Sequence, residues 1–117
     1  MIYLDSNATS QLHPEVMEAM LPFLTEQWFN PSSGYRAARE VRQAIAAARE
    51  QVAALINAHP DEIVFTGCGT ESNNMALKWL ARWVGRKESK VVTTTVEHSA
   101  VLRPCEAMAE VGYKVDR

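Results

Sequence analysis

The chain has 117 residues, 47% of them hydrophobic and 22% charged, with a formal net charge of -2. That is an ordinary globular composition, sufficient for one compact domain and little more. A mildly acidic balance excludes nucleic acid as the expected main partner, because neutralising phosphates requires a basic face. No run of about 18 apolar residues is present, so no membrane span is expected. The start, Met1-Ile2-Tyr3-Leu4-Asp5, lacks the basic and apolar regions of an export signal. Cys68 and Cys105 make no disulfide framework in such a chain, and a reduced, cytoplasmic setting is expected. No metal site is expected.

In chain order, Ile2 to Leu4 reads as extended and Asp5-Ser6-Asn7-Ala8-Thr9-Ser10 as a polar turn. His13-Pro14 opens a helix, proline being tolerated in a first turn. Val16, Met17, Met20, Leu21 and Leu24 recur at helical spacing, and Pro22 is expected to kink or shorten that helix. Asn30-Pro31-Ser32-Ser33-Gly34 is a loop by composition. Val41, Ile45, Ala48, Val52 and Leu55 then alternate by four and three, with charged residues on the other faces, which predicts a long amphipathic helix with one buried stripe.

From Pro60 the rhythm changes. Glu62-Ile63-Val64-Phe65-Thr66 predicts a short strand, broken by Gly67-Cys68-Gly69-Thr70. A helix carrying Met75, Leu77, Leu80 and Val84 follows and is expected to end at Gly85. Lys90 to Thr95 predicts a second strand, β-branched almost throughout. Ala100 to Ala109 predicts another helix, with Pro104 leaving its start open. Gly112 ends it, and Tyr113-Lys114-Val115 opens a third strand. This alternation predicts an α/β fold with a mainly parallel sheet. Residues 1–60 form an N-terminal segment of extended chain and helices, and 61–117 begin the sheet-forming domain. A sheet that starts its third strand at the last few residues is expected to continue, so the chain reads as a fragment.

Two stretches carry chemistry. Phe65 to Asn74 places two glycines and a threonine between a strand and the first turn of a helix. Unpaired backbone N–H groups and the helix dipole favour an anion there, and Thr70 adds a hydroxyl donor. The stretch is neither a Walker loop nor a dinucleotide fingerprint. It reads as a seat for the phosphate of a compact ligand, or equally as a tight β-to-α turn. The second stretch is Val96-Glu97-His98-Ser99. A histidine beyond the C-terminal end of a parallel strand lies on the edge where open α/β sheets bind ligands. It could stack on a cofactor or move protons; taken alone, it is more readily a helix cap or a surface residue.

Together, Tyr3-Leu4-Asp5 with Ala8-Thr9, Asn30-Pro31-Ser32-Ser33, the Phe65–Asn74 stretch and Glu97-His98-Ser99-Ala100-Val101-Leu102 resemble the class V, fold-type I pyridoxal-phosphate family. Within it the chain is most similar to the cysteine desulfurases of iron–sulfur and nitrogen-fixation systems. The resemblance covers nearly the whole chain, with four motifs in order. It implies the start of the family's large cofactor-binding domain. It implies that Gly69 and Thr70 bind the phosphate of pyridoxal 5'-phosphate, that His98 lies over the ring and assists proton transfers, and that Asn7 and Ala8 lie near the substrate. The implied reaction converts L-cysteine to L-alanine, with the cofactor as electron sink and the sulfur passed to an enzyme cysteine as persulfide. A cytoplasmic homodimer serving a sulfur acceptor or iron–sulfur scaffold protein is implied as well.

Cys68 stands where many relatives carry glycine or serine, and Tyr35 where a histidine is common. Cys68 is not the family's sulfur acceptor, and Cys105 reads as a packed thiol. The family's cofactor-binding lysine, the aspartate that pairs with its pyridine nitrogen and the nucleophilic cysteine are expected beyond Arg117. None of Lys78, Lys87, Lys90 and Lys114 matches the lysine position. The 117 residues alone are therefore expected to be inactive. The alternatives are a selenocysteine lyase or aminotransferase on the same scaffold, or a non-catalytic module that pairs with a complementing chain.

Overall fold

The computed structural model describes residues 2–84 and 90–117 and divides into two compact units, Met1–Ile63 and Val64–Arg117. The first unit holds helix α1 (Pro14–Thr25), helix α2 (Arg36–Leu55) and a 3₁₀ turn at Pro60–Glu62. The second holds helix α3 (Gly69–Val84), strand β1 (Lys90–Val92), helix α4 (Ser99–Glu110) and strand β2 (Lys114–Asp116).

α1 begins at Pro14, as His13-Pro14 predicts. It runs through Pro22 and ends three residues later at Thr25, whose hydroxyl bonds back to the carbonyl of Leu21 at 2.8 Å. A proline in the last turn removes only one hydrogen bond, which this helix tolerates. The loop before α2 is held by that helix's own arginines: Arg39 donates to the carbonyl of Gly34 at 3.0 Å and Arg42 to that of Pro31 at 2.5 Å.

α2 forms where the four-and-three spacing predicts it, but its buried stripe differs. Ala38, Val41 and Ala53 are buried, whereas Ile45 and Val52 lie near one-third exposure and Leu55 is 84% exposed. Apolar spacing identifies the face of a helix and not what covers it. The helix closes on Asn57, in the left-handed region at φ 55. There Ala58 N–H bonds to Ala53 C=O and Asn57 N–H to Ala54 C=O, a Schellman ending with asparagine in the usual glycine position.

The strand expected over residues 62–66 does not form among the described residues. His59 and Glu62 instead make a reciprocal capping box around the 3₁₀ turn: Glu62 accepts the N–H of His59 at 2.7 Å and His59 Nδ1 that of Asp61 at 3.3 Å. The backbone is extended at Ile63, where φ is -92 and ψ 125, but residues 63–66 are not assigned to a strand. An extended segment becomes a strand only by pairing.

In the second unit β1 and β2 pair in parallel, with Lys90 opposite Lys114, Val91 opposite Val115 and Val92 opposite Asp116. β1 is shorter than the six residues expected, although Thr93 N–H still reaches the carbonyl of Asp116 at 2.9 Å. α4 makes the crossover and packs on α3 through a small core of Ala81, Ala100, Cys105 and Met108. Cys105 is fully buried, as a packed thiol should be. Tyr113 ties the layers together, donating its hydroxyl to the carbonyl of Ala81 at 2.9 Å. Gly112 at φ 99 ends α4 in a Schellman motif, its N–H on Ala109 C=O and that of Tyr113 on Met108 C=O. The expected end of α3 at Gly85 lies outside the described residues. No described helix is long and apolar enough to cross a membrane.

Candidate functional site

The turn that enters α3 is built from its own side chains. Cys68 takes the cap position, and its carbonyl accepts the N–H of Ser72 at 3.2 Å and the hydroxyl of Ser72 at 3.3 Å. Thr66 and Ser72 join hydroxyl to hydroxyl at 2.5 Å, bridging the strand-like approach to the first helical turn. Glu71 turns its carboxylate back to the N–H of Gly67 at 2.7 Å, the length of a charge-assisted bond. These bonds satisfy the outer part of the turn and leave Gly69, Thr70 and Glu71, the first three residues of α3, without intrahelical acceptors for their N–H groups. At Gly69 a Cβ would meet nothing within 4 Å, so no neighbour crowds the side-chain side of the turn. Three amides and the Thr70 hydroxyl at the positive end of a 16-residue helix form a donor set that fits a phosphate.

α4 presents its N-terminus at the same end of the unit. Thr70 and Asn74 of α3 and Ser99 and Arg103 of α4 line one shallow cleft of about 330 Å³. His98 immediately precedes Ser99 but does not line the cleft. Its side chain caps α4, with Nδ1 accepting the N–H of Ala100 at 3.1 Å. In the neutral ring the proton is then carried by Nε2, which leaves that edge for any further partner. The helix-capping reading of His98, open at the level of sequence, is thus what its local geometry shows.

Asn7 and Ala8 belong to the first unit, in an exposed turn where Ala8 N–H bonds to Asp5 C=O at 3.0 Å. Tyr3 staples that turn from outside, its hydroxyl within 2.8 Å of the Asp5 carbonyl and 3.0 Å of that of Thr9. Cys68 is an exposed free thiol. Among the described residues no group of three or more His, Cys, Asp or Glu side chains is placed to hold a metal.

Sequence reading alone missed Thr66, Glu71 and Ser72 as the residues that shape the turn. A partial signal was present: a glutamate three residues after a helix cap is the second half of a capping box. Here Glu71 bonds the N–H of Gly67, one residue before the cap, so no capping box forms and the residue pattern does not announce the partner.

A parallel βαβ unit, preceded by a helix that opens on a glycine turn, defines an α/β protein. The chain belongs to the class-V aminotransferase family, whose model matches residues 2–117. It is 49% identical over 114 residues to cysteine desulfurase IscS of Dictyoglomus turgidum, an alignment covering 97% of this chain and 29% of that protein. Among solved structures it resembles a NifS-like protein, with a TM-score of 0.89 and 36% identity over 98% of this chain and 32% of the other. It also resembles SspA in complex with cysteine, with a TM-score of 0.86 and 35% identity over 97% of this chain and 33% of the other. The chain thus spans a third or less of the length of these relatives. The likeness agrees with the sequence expectation of the start of a fold-type I large domain.

Proposed function

We propose that these residues form the phosphate cradle of a pyridoxal-phosphate enzyme that removes sulfur from L-cysteine. The observation that carries the proposal is the N-terminus of α3, where among the described residues the N–H groups of Gly69 and Thr70 have no hydrogen-bond acceptor and the turn is closed on its other side by Glu71. Gly69 binds the phosphate through its N–H, and Thr70 through both N–H and hydroxyl. Pyridoxal phosphate, when bound, supplies an electron-withdrawing ring that stabilises negative charge on the substrate carbon. His98, its Nδ1 engaged by Ala100, holds and moves a proton at Nε2. Asn7 and Ala8 stand near the substrate.

In the reaction the carbon–sulfur bond of L-cysteine breaks, L-alanine leaves, and an enzyme thiol becomes a persulfide. The names of the relatives support this reading, one a cysteine desulfurase and another in complex with cysteine. The free thiols Cys68 and Cys105 suit a reducing, cytoplasmic compartment. The whole protein acts as a homodimer and passes sulfur to an acceptor such as an iron–sulfur scaffold.

The test is to purify the natural polypeptide that carries these residues, load it with pyridoxal phosphate and supply L-cysteine. Bound cofactor and L-alanine formed in step with persulfide are expected. A polypeptide that binds no cofactor, or binds it and forms no alanine, would overturn the reading.

A further inference from the structure

Glu71 is an unexpected residue at a phosphate seat. It is the third residue of α3, and a carboxylate in a first turn competes with a bound anion for the same positive potential. Among the described residues, its side chain bonds outward to Gly67 N–H at 2.7 Å, on the approach side of the turn. The Thr66–Ser72 hydroxyl pair at 2.5 Å closes the same turn one residue further out, and Ser72 also reaches the Cys68 carbonyl. Between these two ties lie Gly67, Cys68 and Gly69, a run with little intrinsic preference for one backbone path, since glycine gives up more conformational freedom on ordering than any other residue.

We propose that Glu71 is a positioning residue: it acts through Gly67 to set the path of the Gly67-Cys68-Gly69 turn, so that the N–H groups of Gly69 and Thr70 stand ready before the phosphate arrives. The proposal rests on the phosphate-cradle reading above. A preset donor array binds more tightly because the ordering cost is already met before binding. What Glu71 contributes is an acceptor at the right place, while its charge is a cost tolerated beside an anion. The two properties can be separated, because glutamine keeps the acceptor and loses the charge.

The experiment compares Glu71→Gln, Glu71→Ala and Thr70→Ala in the natural polypeptide that carries this chain. Affinities for pyridoxal phosphate and for pyridoxal, which lacks the phosphate, are measured by spectroscopic titration, alongside the melting temperature of the cofactor-free protein. Glu71→Ala should bind pyridoxal phosphate about tenfold more weakly, because the ordering that one internal hydrogen bond supplied must then be met on binding. Its affinity for pyridoxal should be unchanged, and Glu71→Gln should bind pyridoxal phosphate as tightly as the parent or more so. A purely structural role for Glu71 would weaken both ligands together. Equal losses for the two ligands, or an alanine variant as tight as the parent, overturns the proposal. If Thr70→Ala weakens binding and Glu71→Ala does not, the cradle stands and the role of Glu71 falls. A parent protein with no preference for the phosphorylated ligand overturns both.

Discussion

His98 accepts the N–H of Ala100 through Nδ1 at 3.1 Å, so the residue that opens α4 also fixes its own tautomer. The two consequences separate by substitution. His98→Ala removes a cap, which costs about 1 kcal/mol, and also removes the proton carried at Nε2. His98→Asn restores a cap acceptor and has no ionisable edge. In the natural polypeptide, alanine should lower the melting temperature and slow turnover with cofactor still bound, whereas asparagine should recover the melting temperature alone. Recovery of turnover by asparagine would leave His98 with the capping role only.

Thr70 is the second residue of α3 and the one side chain in the proposed cradle with a hydroxyl of its own. Deleting a hydrogen bond to a charged partner costs roughly 1.5–3 kcal/mol. Thr70→Ala should therefore reduce cofactor occupancy at limiting pyridoxal phosphate, and Thr70→Ser should restore most of it. Equal occupancy in all three proteins would remove the hydroxyl from the site.

The two Schellman endings predict opposite responses to small substitutions. Gly112 sits at φ 99, where a Cβ is strained even though no neighbouring atom lies within 4 Å of it. Gly112→Ala should destabilise the protein by about 1 kcal/mol or more, through backbone strain alone. Asn57 at φ 55 is the milder case, and Asn57→Gly should be neutral or slightly stabilising. Denaturant unfolding of the two variants checks both signs, and a neutral Gly112→Ala would contradict the strain argument.

What was legible in the sequence follows what local chemistry decides. α2 was readable from its spacing and the turn at Gly112 from its glycine, because periodicity and a missing Cβ act within a few residues. The chain-reversing role of Asn57 was not, since asparagine enters the left-handed region only where the hydrogen bonds favour it. The strand expected from Glu62 to Thr66 failed for a non-local reason. β-branched residues such as Ile63 and Val64 suit a strand, but a strand forms only through ladder pairing, and a 3₁₀ capping box claims Glu62 first. The same limit applies at the site. Gly69 and Thr70 stood out by residue type, whereas the work of Glu71 and Ser72 depends on which backbone atoms the fold brings to them.

Glu106 offers a pH test that is independent of any ligand. It receives Arg103 Nη1 on one carboxylate oxygen at 3.0 Å and Arg117 Nη2 on the other at 3.1 Å. The Arg103 hydrogen bond holds its carboxyl below the ordinary glutamate value; partial desolvation works against this, and the charge of Arg103 with the bond and charge of Arg117 adds to the lowering. Because the folded value lies below the unfolded one, the linked stabilisation is present in full above the unfolded value of about 4.3. It is lost as the pH falls through the folded value. Both partners are solvent-accessible, so the effect on stability should be small and salt-sensitive. An NMR titration of the Glu106 carboxyl should give a midpoint below that of an unstructured glutamate, and Arg103→Ala should move it upward. A midpoint that Arg103→Ala leaves unchanged would show that the guanidinium is not the cause.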